Sequence, residues 1–141
     1  MKMAAAAAVL SLFGSVWAQE PGPLIQDHEA IEWKVSGSLP PGTEYHLIYE
    51  DKTTHAVQML VRYAKGYVLP PHSHTHDETV LVVKGKLRVE MGGKTQTLGV
   101  GSYAVIPSGT EHSFKAQGWG GCEILVSLNG PFDVKGLAPI K

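Results

Sequence analysis

The sequence predicts a single all-β domain, a sandwich or a barrel. Three observations carry that reading. Short β-prone segments recur at regular spacing, separated by turns drawn from 16 glycines and 9 prolines. Several segments alternate apolar and polar residues, as in Lys86 to Met91, where Leu87, Val89 and Met91 interleave with Lys86, Arg88 and Glu90. After residue 18 no segment shows a helical period.

Taken in order, residues 19–30 (QEPGPLIQDHEA) carry prolines and acids without periodicity and are expected to form an extended arm. Ile31–Val35 alternates enough for a strand, and SGSLPPG at 36–42 is a loop by composition. Tyr45–Tyr49 is a short strand, Asp51–Thr54 turns the chain, and Ala56–Ala64 is a longer strand. Tyr67–Leu69 leads to a corner at Pro70-Pro71. Thr79–Val83 and Lys86–Met91 flank Lys84-Gly85, a tight-turn signal that predicts a strand pair. Gly92-Gly93 turns into Lys94–Leu98, Ser102–Ile106 ends at Pro107, and Glu111–Ala116 and Glu123–Leu128 complete the strands.

The N-terminus and composition bound the function. Lys2, the apolar run Ala4–Phe13 and Val16-Trp17-Ala18 read as a secretory signal peptide over 1–18, cut before Gln19. The mature chain is then expected to be secreted or periplasmic, with no further membrane segment. An arm and first strand (19–42) precede the barrel domain (43–141). A formal net charge of −1 supplies no basic face, which argues against nucleic acid or an anionic membrane as partner. Cys122 is the only cysteine, so no intramolecular disulfide forms, and its apolar surroundings suggest a small buried side chain. Leu24 and Ile25 give the arm apolar character, and small β sandwiches have sheet edges that need cover, so a homodimer is expected.

The densest chemistry lies between Gly66 and Ala116. It reads Gly66-x5-His72-x-His74-x3-Glu78-x6-Gly85, then Gly101-x5-Pro107-x-Gly109-x2-His112. Three imidazoles and a carboxylate suit a divalent first-row metal. On a strand, residues i and i+2 share a face, so His72 and His74 can converge on one ion. Glu78 can return to that face after a short bend, and His112 must arrive from a neighbouring strand. Three histidines and one glutamate leave about two positions open on a six-coordinate ion, which marks a catalytic rather than a structural site. The metal expected is Fe, Mn, Ni, Zn or Cu.

These two segments resemble the two motifs of the cupin superfamily. Every specified position of the first motif is present, and the second matches through His112, with Ala116 where the family usually has Asn. The resemblance covers residues 66–116 and implies a double-stranded β-helix, a small jelly roll with the metal inside one mouth. It also implies a small-molecule substrate or ligand. Similar proteins include oxygenases, isomerases and lyases. A small metalloenzyme of the O2-dependent dioxygenase type is the leading reading. A non-catalytic ligand- or metal-binding sensor and a metal-dependent isomerase or lyase are the alternatives.

Other residues carry two readings each. His76 continues the 72, 74 alternation, so it could replace Glu78 as a ligand, serve as an acid or base beside the metal, or sit at the rim as a solvated side chain. Of Arg62 and Tyr63 one should face inward, and an inward Arg would clamp an anionic substrate. Phe114 shares a face with His112, so it lines the pocket or packs in the core. Tyr103 and Trp119 are rim candidates for stacking on a ligand. His28, His46 and His55 read as surface or locally satisfied histidines.

Overall fold

A computed structural model describes residues 22–138. Residues 22–30 form a unit of their own, with a single 3-10 turn at His28–Ala30 and the Asp27 carboxylate accepting from the Glu29 amide at 2.8 Å. The signal-peptide expectation lies outside the described residues.

From Ile31 onward the chain is all β. The strands are β1 (Lys34–Val35), β2 (Thr43–Glu50), β3 (Val57–Tyr63), β4 (Val68–His72), β5 (Glu78–Lys84), β6 (Lys86–Met91), β7 (Lys94–Leu98), β8 (Tyr103–Ile106), β9 (His112–Gln117) and β10 (Cys122–Leu128). They build two antiparallel sheets, one ordered β1-β2-β3-β10-β5-β8 and the other β4-β9-β6-β7. The result is the expected jelly roll. Alternation supplies its core: Val57, Met59, Val61 and Tyr63 point inward from β3, Val80 and Val82 from β5, Leu87 and Val89 from β6, and Ile124, Val126 and Leu128 from β10.

Two local expectations are corrected. Thr79–Val83 and Lys86–Met91 do not pair with each other; β5 pairs with β8 and β10, and β6 with β7 and β9. Strand β5 extends through Lys84, which leaves Gly85 alone between the strands, and one residue cannot close a hairpin. Gly85 is instead a corner that carries the chain from one sheet to the other. Its φ is 74°, and a Cβ there would stand 2.2 Å from the Gly121 carbonyl oxygen, so only glycine fits. The hairpin signal does hold at Gly92-Gly93, where both residues have positive φ and Met91 faces Lys94.

Pro70 and Pro71, expected at a corner, lie inside β4. Within the described residues β4 is an edge strand bonded to β9 alone, and its register shifts between Leu69 and His72. Prolines are tolerated there because an edge at a bulge does not need their missing N–H. The first strand is also shorter than Ile31–Val35, whereas the Tyr45–Tyr49 strand lengthens to Thr43–Glu50 because it pairs along most of β3.

Candidate metal centre

Four elements bring the motif residues together. His72 ends β4 and pairs directly with His112 at the start of β9, with ring centroids 4.2 Å apart. Beyond β4 the chain stays extended through Ser73, which bridges Lys135, and this delivers His74 on the same side as His72. Glu78 then opens β5 in the other sheet. One ring nitrogen from each of His72, His74 and His112 lies within 4.8 Å of the others. A Glu78 oxygen stands 3.3 Å from His74 Nε2 and 3.2 Å from His112 Nε2. All four side chains are buried.

The ring orientations are set by backbone carbonyls. Nδ1 of His72 bonds Pro70 O at 2.8 Å, that of His112 bonds Thr110 O at 2.9 Å, and that of His74 bonds Asp133 O. A carbonyl only accepts, so each Nδ1 carries the proton and each Nε2 turns a lone pair to the shared space. His74 Nε2, His112 Nε2 and Glu78 Oε2 are buried without hydrogen-bond geometry to any described protein group. Buried polar atoms are ordinarily paired. Three of them converging, with lone pairs and one negative charge, form a donor set that fits a divalent cation.

Electrostatics agree with that donor set. Burial, and then His112 close by, push the His72 imidazolium down to about 4, so this ring is neutral at ordinary pH. Burial would push the Glu78 carboxyl up, but His112 and His74 outweigh it and hold the group down at about 2. Burial disfavours charge on His74 as well, yet the Glu78 carboxylate prevails and raises its affinity for a proton.

The connecting loop is clamped from a distance. Asp133 accepts from the Thr75 amide at 2.9 Å and from the Thr75 hydroxyl. Asp77 accepts from the Ser108 amide at 2.8 Å, and Gly109 N donates to His74 O at 2.9 Å. The segment after β10 was not singled out in the sequence, although Asn129-Gly130-Pro131 is a turn signal that could have drawn attention to it.

A cavity of about 570 Å³ opens onto His72, His74 and Glu78, with mostly apolar walls. Tyr63 and Phe114 both line it. Tyr63 is buried, stacks on Tyr67 at 4.9 Å, and burial followed by the Glu78 charge raises its phenol well above the usual range. Phe114 sets its ring 5.9 Å from His72 and 5.1 Å from His112, so core packing and pocket lining coincide.

The other pocket candidates lie elsewhere. Arg62 faces outward by alternation with Tyr63, pairing with Glu44 at 2.7 Å and sitting 4.3 Å over the Trp33 ring. Tyr103 is exposed on the outer face of β8. Trp119 is 92% exposed, with Lys65 Nζ 4.3 Å over its ring. Their offsets from inward residues, or their place in a loop rich in glycine, direct them to solvent. His76 does not line the cavity; it is half-buried and packs its ring against Gly130. Beyond Ser73 the chain bends and pairs with no strand, so the alternation that would aim His76 at the site stops at His74.

The family model for the cupin domain matches residues 59–128. This chain belongs to the cupin superfamily. Quercetin 2,3-dioxygenase of Bacillus subtilis (strain 168) is 43% identical to this cupin over 61 residues, which cover 42% of the chain and 18% of that protein. The cupin therefore spans a minor part of that relative. Among solved structures, KdgF from Halomonas sp. superposes with a TM-score of 0.64 at 26% identity, over 77% of this chain and 94% of its own. The polyketide cyclase RemF from Streptomyces resistomycificus superposes at 0.66 with 19% identity, over 82% and 87%, which speaks for the fold alone.

Proposed function

We propose that this cupin is a small exported metalloenzyme that binds a divalent transition metal through His72, His74, Glu78 and His112. Its activity is that of an O2-dependent oxidoreductase of the dioxygenase type, acting on a small chelating substrate. The observation that carries the reading is the trio of buried, unbonded atoms on His74, Glu78 and His112, together with three Nδ1 groups already committed to carbonyls. The likeness to quercetin 2,3-dioxygenase of Bacillus subtilis supports the dioxygenase class.

A bound metal would supply Lewis-acid chemistry and, for a redox-active ion, the means to bring O2 and a chelating substrate together. The protein's own residues do the rest. Glu78 contributes one negative charge to offset the cation. Leu69, Val126 and Phe132 wall the cavity with apolar surface and exclude water from the bound substrate. Tyr63 stays protonated at any physiological pH, so its hydroxyl remains available as a hydrogen-bond donor toward an anionic substrate oxygen. Trp119 stands in solvent and does not line the cavity.

Metal analysis of protein purified from its native compartment, followed by O2 consumption against catechols, diketones and thiols, tests this reading. Metal with O2 uptake supports it. Metal with substrate turnover but no O2 uptake would replace it by an isomerase or lyase, and metal without turnover by a binding domain. N-terminal sequencing of the exported protein should begin at Gln19; Met1 there would refute the signal peptide.

A further inference from the structure

The cavity has a second polar feature. Glu50 and His55 both line it, joined by a contact of 2.8 Å from His55 Nδ1 to Glu50 Oε1. Neither is there by simple alternation. On β2, Tyr45 and Leu47 face the cavity, so strict alternation would bring Tyr49 inward next. The register with β3 shifts between Leu47 and Tyr49, and this irregularity turns Glu50 to the cavity's face of the sheet instead, where it and His55 stand at the open rim, 46% and 57% exposed. Irregularities of this kind commonly re-aim one side chain beside a site.

His55 is held just as specifically. It is the one non-glycine residue with positive φ among the described residues, at 57°. The turn that holds it is densely bonded. Asp51 Oδ1 accepts from the Thr53 amide at 2.9 Å, the Thr54 amide at 2.7 Å and the Thr54 hydroxyl at 3.0 Å. The His55 amide donates to Asp51 O at 2.9 Å, and the Asp51 amide donates to Ala56 O at 2.9 Å. A left-handed conformation is uncommon for a residue other than glycine and persists where its surroundings impose it. The placement is therefore a property of the fold.

Strand pairing locates this dyad relative to the metal ligands. Glu50 faces Val57, Val57 faces Leu128, and Leu128 faces Glu78, so all four lie in one row across the larger sheet. Three strand spacings separate Glu50 from Glu78, about 14 Å along the sheet and less across its concave face. Between them the wall is apolar: Val57, Met59 and Phe132. Because the Glu50 carboxylate accepts from Nδ1, the other ring nitrogen of His55 is left for a ligand, and a hydroxyl, which both donates and accepts, can pair with it.

We infer that His55, oriented by Glu50, is a second anchor in this cavity, which selects an elongated, apolar-bodied ligand bearing a hydroxyl at the end opposite its chelating group. The inference rests on the metal-chelating reading of the first anchor. The test is isothermal titration of the metal-loaded full chain with two compounds, biphenyl-3,4-diol and biphenyl-3,4,4′-triol, which differ only by the distal hydroxyl. The triol should bind about tenfold more tightly, the scale of one well-placed hydrogen bond. His55→Asn and His55→Gly both tolerate the left-handed backbone and should fold. Each should reduce the preference to within about twofold while metal content stays the same. Glu50→Gln should reduce it in part. Equal binding of the two compounds by the unaltered protein, or a preference surviving both His55 variants, overturns the second anchor and leaves the first standing. Failure of the metal-loaded protein to bind either compound sinks the chelation reading and this one with it.

Discussion

His72 and His112 differ from His74 in how they are held. The first two sit opposite each other on paired strands, and each ring bonds a carbonyl two residues back in sequence, Pro70 O and Thr110 O. Their support is local and comes with the ladder. His74 has left the ladder, and its ring bonds Asp133 O, 59 residues away in sequence. Three of the four candidate ligands, Glu78 among them, are thus placed by β-pairing, and the fourth by a tertiary clamp from the segment after β10. A metal site divided in this way should respond differently depending on which part is disturbed.

The largest effect should come from the paired part. His112→Ala removes one imidazole and leaves the buried Glu78 with a single neighbour. It should abolish metal binding as measured by atomic emission, and His72→Ala should match it. Stoichiometric metal in either variant would break the four-residue assignment. Chelation of the intact protein is expected to come next. Ligands joined only in the folded state add RT ln(1 + [L]/Kd) to stability, about 4 kcal/mol at a thousandfold excess over Kd. The melting temperature should fall by several degrees, and an unmoved curve after complete removal would show that the barrel does not need the metal.

The clamp is the place to sharpen the comparison. Asp133→Ala deletes the bonds to Thr75 while the peptide carbonyl that holds His74 remains. Metal affinity should weaken by about 10- to 100-fold, the range for orienting partners, rather than disappear. Affinity equal to that of the unaltered protein would mean the loop is held by its neighbours alone.

The metal-free protein should also weaken in acid, by a smaller amount. His72 takes its proton near 4 when folded and near 6.5 when unfolded, so the unfolded chain binds it first. Stability from this group is complete above pH 6.5 and drains away as pH falls toward 4, on the order of 3 kcal/mol in all. Glu78 adds a second loss between pH 4.5 and 2. His74 runs the other way: its raised value makes its contribution largest below 6.5 and lost as pH rises through that value. Urea melts of metal-free protein at pH 7 and pH 4.5 should show the net decline. The smallest effect is reserved for His76→Ala, which should leave metal content unchanged because His76 packs on Gly130 outside the cavity.

The same division explains what could be read in the sequence. The motif residues were legible because glycine and histidine spacings are local and strand alternation is a short-range rule. The jelly roll was legible for the same reason, through inward runs such as Val80 and Val82. The Gly85 corner was misread as a hairpin because its role depends on Gly121, a contact 36 residues away that no local pattern encodes. Asp133 acts on His74 through a backbone oxygen, which leaves no residue signature. Glu50 reaches the cavity's face of the sheet only because of an irregularity in pairing with β3. Arg62, Tyr103 and Trp119 are aromatic or charged side chains of the right kind in places that face solvent.

One further consequence follows from Pro70 and Pro71. Strand β4 is an outer strand, and an outer strand normally offers its free amides to any extended chain that drifts past. Successive amides on a strand point to opposite sides, so one of the two prolines withdraws a donor from the open edge beside His72, and Ser73 is already taken by Lys135. An extended chain arriving at this stretch of β4 finds few open amides to pair with.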